Sequence, residues 1–547
     1  MKIPPLHPFA FVVFPVLSLY SHNLGLFPWT DVLRPVEWGI AITAVAYVAL
    51  WAVFALLRPI GKSPILPSQA PRGNERSEAG DNRQPTIESA SAAVSILILE
   101  FFTFGYAWLG FQKVAPSWLF GNPHDFLYVW IPVALLILLP FGWRRKRTAG
   151  MTRFLNAVGL ILLAQPLFTI AAGLISIKRD LNQVSTLRAG APSSGISAVN
   201  APDIIYVILD GYGREDEVKQ YMHFDNHQFI QELESRGFYV ATKARSNYCQ
   251  TELSLSSSLN MNFVSNLVGP MPKDSMDRAP LDRLLDKSAV AEFLKKRGYE
   301  YIAITSGFPG VNPSSADVLL TDTQGYSLFE SSLLAATPIV ASSGTLESQY
   351  DSRRRKLAAA YGHLTHLGAR GAKPRFVFVH ILAPHPPFVF GLNGEAVRPS
   401  HTTFGYWDAS AFFAVGGTLE EYVKGYSGQL QYVNMMTLRA VDQIRRDESV
   451  PPVIILQGDH GSRAHLSQEE LGKSDVRESF RNLNAYLVPP SVKAKLYPGI
   501  TPVNSFRVVL NGVFGASFPV LPDRSYFTTW SRPYDPIDVT ANVEMPL

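Results

Sequence analysis

Three short segments carry side chains whose types and spacing could do chemistry. The apolar run Ile204–Leu209 ends in Asp210, and a second run, Phe376–Leu382, carries His380 and continues into Ala383-Pro384-His385-Pro386-Pro387-Phe388. The third, Val453–Gln457, ends in Gly458-Asp459-His460-Gly461. An Asp-His pair between glycines sits on a sharp turn and offers hard oxygen and borderline nitrogen to one divalent cation. Asp210, at another strand end, would add a third donor. The competing reading is a helix-capping aspartate beside a surface histidine. A nucleophile candidate lies in the stretch from Ser246 to Asn260, where Thr251 stands at the change from irregular to helical sequence. Amides at a helix N-terminus suit a phosphate or sulfate oxyanion. A hydroxyl bound to a divalent metal is acidified, much as metal-bound water falls from pKa 15.7 to about 7. Thr251 could instead only cap the helix, and Ser254 and Ser256 are rivals for the role.

Those segments need a scaffold that brings strand ends together. After Asp203, apolar runs at Ile204–Leu209, Glu300–Thr305, Phe376–Leu382 and Val453–Gln457 alternate with helical patterns at Asn226–Arg236, Ala289–Arg297, Leu346–Leu367 and Leu419–Arg446. Fully apolar strands separated by helices predict an α/β domain with a mainly parallel sheet covered by helices on both faces. Ligands of such sheets gather at the carboxyl ends of the strands, where Asp210, His385 and Asp459-His460 would all lie. His465 and Arg463, close after the Asp-His turn, become candidates for contact with substrate. Arg463 would pair with a phosphate there.

The N-terminal part has another composition. Only 17% of the 547 residues are charged, against roughly 25% in soluble proteins. Residues 1–177 hold 13 basic and 8 acidic side chains, and the remainder 36 and 37. The net charge of +4 therefore belongs to the apolar part and gives no sign of a nucleic-acid partner. Five stretches, Leu6–Phe27, Val36–Leu57, Ala93–Phe111, Phe126–Trp143 and Phe154–Ile177, have roughly the 17–25 residues that span a bilayer. The first reads as a retained helix, lacking a small-residue cleavage site. Lys2, the loop with Arg58, Lys62, Arg72, Arg76 and Arg83, and the loop with Arg144, Arg145, Lys146, Arg147 and Arg153 fall on one side, against Arg34 and Lys113 on the other. That bias predicts a multi-pass protein of the cytoplasmic (inner) membrane with its N-terminus in the cytoplasm. The expected organisation is a five-helix membrane domain at 1–177, a linker at 178–202 and a periplasmic or extracellular catalytic domain at 203–547. Glu100 falls inside the third span, where a carboxylate is either functional or paired.

Together these blocks resemble the alkaline phosphatase/sulfatase superfamily, over roughly residues 203 to 515. The likeness is to its membrane-anchored branch, which contains lipoteichoic acid synthases and phosphoethanolamine transferases. The resemblance implies one catalytic metal, zinc or manganese, bound by Asp210, Thr251, Asp459 and His460, with Thr251 as nucleophile. It implies His385, with His380 upstream, on the substrate side. The implied reaction moves a phospho-alcohol headgroup from a phospholipid donor to a glycan or lipid hydroxyl through a phospho-threonine. A hydrolase of phosphate or sulfate esters, or an inactive binding module, are the alternatives. Two departures stand out. Asp210 is followed by Gly211 where sulfatases carry a second aspartate, and Cys249-Gln250-Thr251-Glu252-Leu253 lacks the Pro/Ala and Arg of the formylglycine motif. One cysteine also forbids the disulfides of many periplasmic phosphoethanolamine transferases.

Overall fold

The computed structural model describes residues 4–24, 27, 29–56, 84–112, 123–143, 149–180 and 201–545, the last stretch without 309, 312, 323–325, 342–348, 370, 399–404, 407 and 448–449. Two compact units emerge, residues 1–176 with 326–347, and residues 177–325 with 348–547.

The first unit holds the helices His7–His22, Thr30–Leu56, Gln84–Gln112, Pro123–Trp143 and Ala149–Asp180, one at each expected span. Three contain stretches long and apolar enough to cross a membrane: Thr30–Val53, Ser89–Trp108 and Gly150–Ile175. The first helix has 16 residues, a rise of about 24 Å against a bilayer core of about 30 Å. The fourth runs over 21 residues, of which Asp125–Ile137 is a shorter apolar stretch among the described residues. Leu160, Ile161, Phe168 and Ile175 stand exposed on the last helix, as side chains facing lipid would. Residues 326–341, which the expected boundaries place in the catalytic domain, pack here: Phe329 is buried with Val16 and Val32, and Arg34 pairs with Glu330 at 3.2 Å. Glu100 has neither carboxylate oxygen hydrogen-bonded among the described residues. Of the orientation residues, Lys2, Arg58, Lys62, Arg72, Arg76, Arg83, Lys113, Arg144, Arg145, Lys146 and Arg147 lie outside the described residues, as do 181–200 of the expected linker.

The second unit is built on a seven-stranded sheet. Its strands are β1 (Ile204–Leu209), β2 (Tyr239–Val240), β3 (Glu300–Thr305), β4 (Val318–Leu320), β5 (Arg375–Ile381), β6 (Val453–Gln457) and β7 (Asn484–Leu487). The order is β2-β7-β6-β1-β5-β3-β4. The run from β6 to β4 is parallel, and β7 and β2 close one side antiparallel. β1 is apolar throughout because it is covered twice. Ile205, Val207 and Leu209 face one core with the helices Gln349–Thr365 and Leu419–Asp447. Ile204, Tyr206 and Ile208 face the other, with Leu255, Phe293 and Phe506. Successive strand residues point to opposite faces, so an unbroken apolar strand between two helical layers is what the burial requires. β1 lies between β5 and β6, and the crevice beyond the carboxyl ends of these three strands is where the chemistry-bearing segments converge.

Candidate metal centre

Each functional side chain is delivered by the end of an element. Asp210 follows β1, Asp459 and His460 follow β6, and Thr251 is the first residue of the helix Thr251–Leu259. Ligand atoms of Asp210, Asp459 and His460 all lie within 4.8 Å of one another, and all three residues are buried. His460 Nε2 stands 3.4 Å from an Asp210 oxygen, 3.3 Å from Asp459 Oδ2 and 3.4 Å from Thr251 Oγ1. The Asp-His turn is tight for a visible reason. A Cβ on Gly461 would fall 1.9 Å from the Glu478 carbonyl oxygen, and one on Gly458 2.3 Å from that of Tyr212.

The hydrogen bonds show which atoms are left for a cation. Asp459 Oδ1 accepts from Gly211 N at 2.9 Å and His460 N at 3.0 Å, whereas Asp459 Oδ2 has no hydrogen-bond partner among the described residues. Asp210 Oδ2 accepts from His380 Nε2 at 3.1 Å, and Asp210 Oδ1 likewise has no hydrogen-bond partner among them. Fully buried carboxylate oxygens without donors are costly. Here two of them converge with an imidazole nitrogen, and this donor set fits one divalent ion. Burial pushes the Asp459 carboxyl up, and the charge of Asp210 adds to the push. For Asp210 burial acts in the same direction, but the charge of His385 and the hydrogen bond from His380 outweigh it and hold the group low. Burial, reinforced by the charge of Arg463, lowers His460, keeping its imidazole in the neutral form that binds metals.

Among the hydroxyl candidates, Ser254 Oγ donates to the Asp459 carbonyl at 2.6 Å and Ser256 Oγ to the Leu281 carbonyl at 3.3 Å. Thr251 Oγ1 is the one directed at the centre. Cys249 is buried, and burial pushes its thiol up to about 11, the reverse of an activated thiolate.

The surrounding candidates separate. His385 borders the centre: its amide donates to the Asp210 carbonyl at 3.0 Å, and its ring lies 6.3 Å from that of His460. His380 is fully buried on β5 and reaches Asp210. Arg463 is buried too, its guanidinium engaged by Asp408 and, at 2.5 Å, by the Cys249 carbonyl. His465 is turned to Glu478 at 2.9 Å and lines a surface cavity of about 560 Å³ with Tyr221, Lys473 and Arg477. Asp210, Thr251, Asp459 and His460 are not among the residues that line that cavity.

Two acids that sequence reasoning missed support the site. Asp408 caps the helix Ala409–Ala414 and pairs with His385 Nε2 at 3.1 Å. Glu478, fully buried, accepts from Ser462 Oγ, Ala464 N, His465 N and His465 Nδ1 at 2.7–2.9 Å. It therefore fixes the loop leaving His460. Tyrosines one turn apart on the helix Leu419–Asp447 complete the frame. Tyr426 donates to the Gly211 carbonyl at 2.8 Å, and Tyr422 to Asp408 at 3.0 Å.

A family model described as Sulfatase matches residues 202–483, just over half of the chain. No curated protein sequence matches. Among solved structures, the zinc-bound C-terminal periplasmic domain of EcEptC from Escherichia coli is 12% identical, covering 66% of this chain and 98% of its own, with a TM-score of 0.40. The integral membrane lipooligosaccharide phosphoethanolamine transferase A from Neisseria meningitidis is 15% identical, covering 92% and 95%, with a TM-score of 0.38. The phosphonate monoester hydrolase of Agrobacterium radiobacter is 14% identical, covering 60% and 80%, also with a TM-score of 0.38.

Proposed function

The chain belongs to the sulfatase family, and we propose that within it the protein is a membrane-anchored phosphotransferase with Thr251 as nucleophile. The observation that carries this reading is the convergence of two donor-less carboxylate oxygens, Asp210 Oδ1 and Asp459 Oδ2, with His460 Nε2 and the Thr251 hydroxyl. A divalent ion, zinc or manganese, would be held by Asp210, Asp459, His460 and Thr251. When bound, it supplies Lewis acidity that acidifies a hydroxyl and offsets phosphoryl charge.

The proposed substrate is a phospholipid whose phospho-alcohol headgroup is passed to a glycan or lipid hydroxyl. Thr251 Oγ1 loses its proton and forms a bond to phosphorus, while the bond from phosphorus to the diacylglycerol oxygen breaks and that oxygen takes up a proton. In the second step the acceptor hydroxyl loses its proton as its oxygen bonds to phosphorus, the bond from phosphorus to Thr251 Oγ1 breaks, and Oγ1 takes up a proton. Splitting one displacement into two is the advantage of covalent catalysis. His385 stands at the substrate side of the centre, and His380 holds the Asp210 carboxylate in place. Three span-length helices in the chain suit a donor that lives in a bilayer, with the catalytic unit on the periplasmic or extracellular face of the cytoplasmic membrane.

The test is mass spectrometry of the full-length protein after incubation with mixed phospholipids. A phospho-alcohol mass on the Thr251 peptide is expected, together with diacylglycerol, and T251A should yield neither. Free headgroup in water, with nothing on an acceptor, would establish the hydrolase instead. Diacylglycerol release by T251A would remove the nucleophile assignment.

A further inference from the structure

The structure assigns Asp408 a part in this chemistry: it is a positioning residue that fixes the His385 ring against the metal centre, with Arg463 and Tyr422 holding Asp408 in turn. The inference rests on the reading that His385 works on the substrate.

The His385 ring is gripped at both edges. Its Nε2 lies 3.1 Å from Asp408 Oδ2, and its Nδ1 lies 2.5 Å from the carbonyl of Pro386. With both nitrogens engaged, the ring can neither flip nor swing without breaking a hydrogen bond in a buried setting. His385, Asp408 and Arg463 are 6%, 4% and 5% exposed. Gln429 Nε2 fixes the backbone beneath the ring, donating to the His385 carbonyl at 2.9 Å.

Asp408 is itself immobile. Oδ1 accepts from its own helix at Ala409 N, 2.5 Å away, and from Tyr422 OH at 3.0 Å, while Oδ2 is shared between His385 and Arg463. Arg463 lies on the metal loop and adopts φ 62, a left-handed conformation that a non-glycine residue keeps only where its surroundings over-determine it. Its other contact is the carbonyl of Cys249, two residues before the nucleophile. Arg463, through the metal loop it stands on and the Cys249 carbonyl it binds, thus sets where Asp408 lies, and Asp408 passes that placement to the His385 ring. Placement within about 0.5 Å and 10–20° is what a productive constellation needs. Partners that orient metal-ligating histidines are worth about 10- to 100-fold, and the same scale is adopted for the orientation of His385.

The test is a double-mutant cycle on the full-length enzyme, following single-turnover formation of phospho-Thr251 by mass spectrometry, with bound metal and thermal midpoint measured alongside. D408N should slow the chemical step about 10- to 100-fold in the native background. In an H385Q background it should cost almost nothing further, and metal content should stay unchanged in both. Equal losses in the two backgrounds, or loss of metal from D408N, would overturn the assignment. If H385Q alone leaves the rate unchanged, it is the placement of His385 on the substrate side that fails. Should D408N leave Arg463 uncompensated and fail to fold, Y422F provides the second arm. It removes the hydroxyl that Asp408 shares with the carbonyl of Ser462 and should slow the step only while His385 is present. An unchanged rate in Y422F, or a loss that persists without His385, would overturn the assignment as well.

Discussion

Replacing Asp459 by asparagine separates what the metal centre does for the fold from what the fold does for the metal. Asparagine keeps the oxygen that accepts from Gly211 N and His460 N and replaces only the donor-less Oδ2. Without metal, the change also removes a carboxylate whose burial and neighbour Asp210 make its charge unfavourable, so metal-free D459N should melt no lower than the native protein. With metal, the order should reverse. At a free metal concentration 100 times the Kd, binding stabilises the native state by about 2.7 kcal/mol. If losing a ligand weakens affinity about 100-fold, the upper end for changes around a metal, only about 0.4 kcal/mol remains at the same concentration. The difference is about 2.3 kcal/mol. For a unit of roughly 345 residues at about 2.1 cal/mol/K per residue, this is about 3 °C. Thermal unfolding of both proteins, chelated and then with zinc or manganese added, reads both signs. An identical metal-induced rise in the two would show that Asp459 does not bind the ion. A metal-free D459N melting several degrees lower would show that the carboxylate is structural.

Three further outcomes follow from the same geometry. C249A should keep native turnover, because the thiol is buried with its pKa pushed up to about 11 and Arg463 binds only its carbonyl; a dead C249A would revive a cysteine-derived nucleophile. G461A must push a methyl to 1.9 Å from the Glu478 carbonyl oxygen, an overpacking cost of about 1–3 kcal/mol; calorimetry should show the loss together with weakened metal binding, and an unaffected G461A would mean that the turn tolerates a wider path. His465 is raised above its ordinary value chiefly by its hydrogen bond to Glu478; a raised histidine contributes stability that is full below about pH 6.5 and lost as pH rises through the shifted value. The stability gap between the native protein and H465Q should therefore close as pH rises from near 6.5, and a gap that widens would contradict the pairing.

The principal strands and the strand-end cluster of Asp210, Asp459 and His460 were legible because the physics there is local. β1, β3 and β6 run over the same residues as the apolar runs, and β5 differs by one residue at each end, since double coverage demands unbroken apolarity. Two- to four-residue strands such as β2, β4 and β7 leave too short a pattern, and they form because a neighbouring edge is available. The five apolar stretches became five helices, of which three hold span-length apolar stretches among the described residues and the first, at 16 residues, is short of a span.

The supporting residues were hidden for the opposite reason. Asp408 stands in Trp407-Asp408-Ala409-Ser410, which reads as a helix cap, and it is a cap; its second task depends on Arg463, 55 residues away. His465 lies five residues from His460, a distance that suggests a shared site until Glu478 draws the ring aside. His380 shows the intermediate case. Its strand was plain, but only the pairing of Ile208 with His380 brings its ring to Asp210. Residues that can bind a cation announce themselves by type beside a strand end, whereas residues that hold them still are ordinary acids and tyrosines whose role exists only in three dimensions. On the proposed mechanism, a variant chosen from sequence alone would therefore strike Asp459 or Thr251 and remove turnover without dissecting it. Asp408, Tyr422 and Glu478 are the positions where the geometry of the site can be loosened by degrees while the proposed metal ligands stay in place.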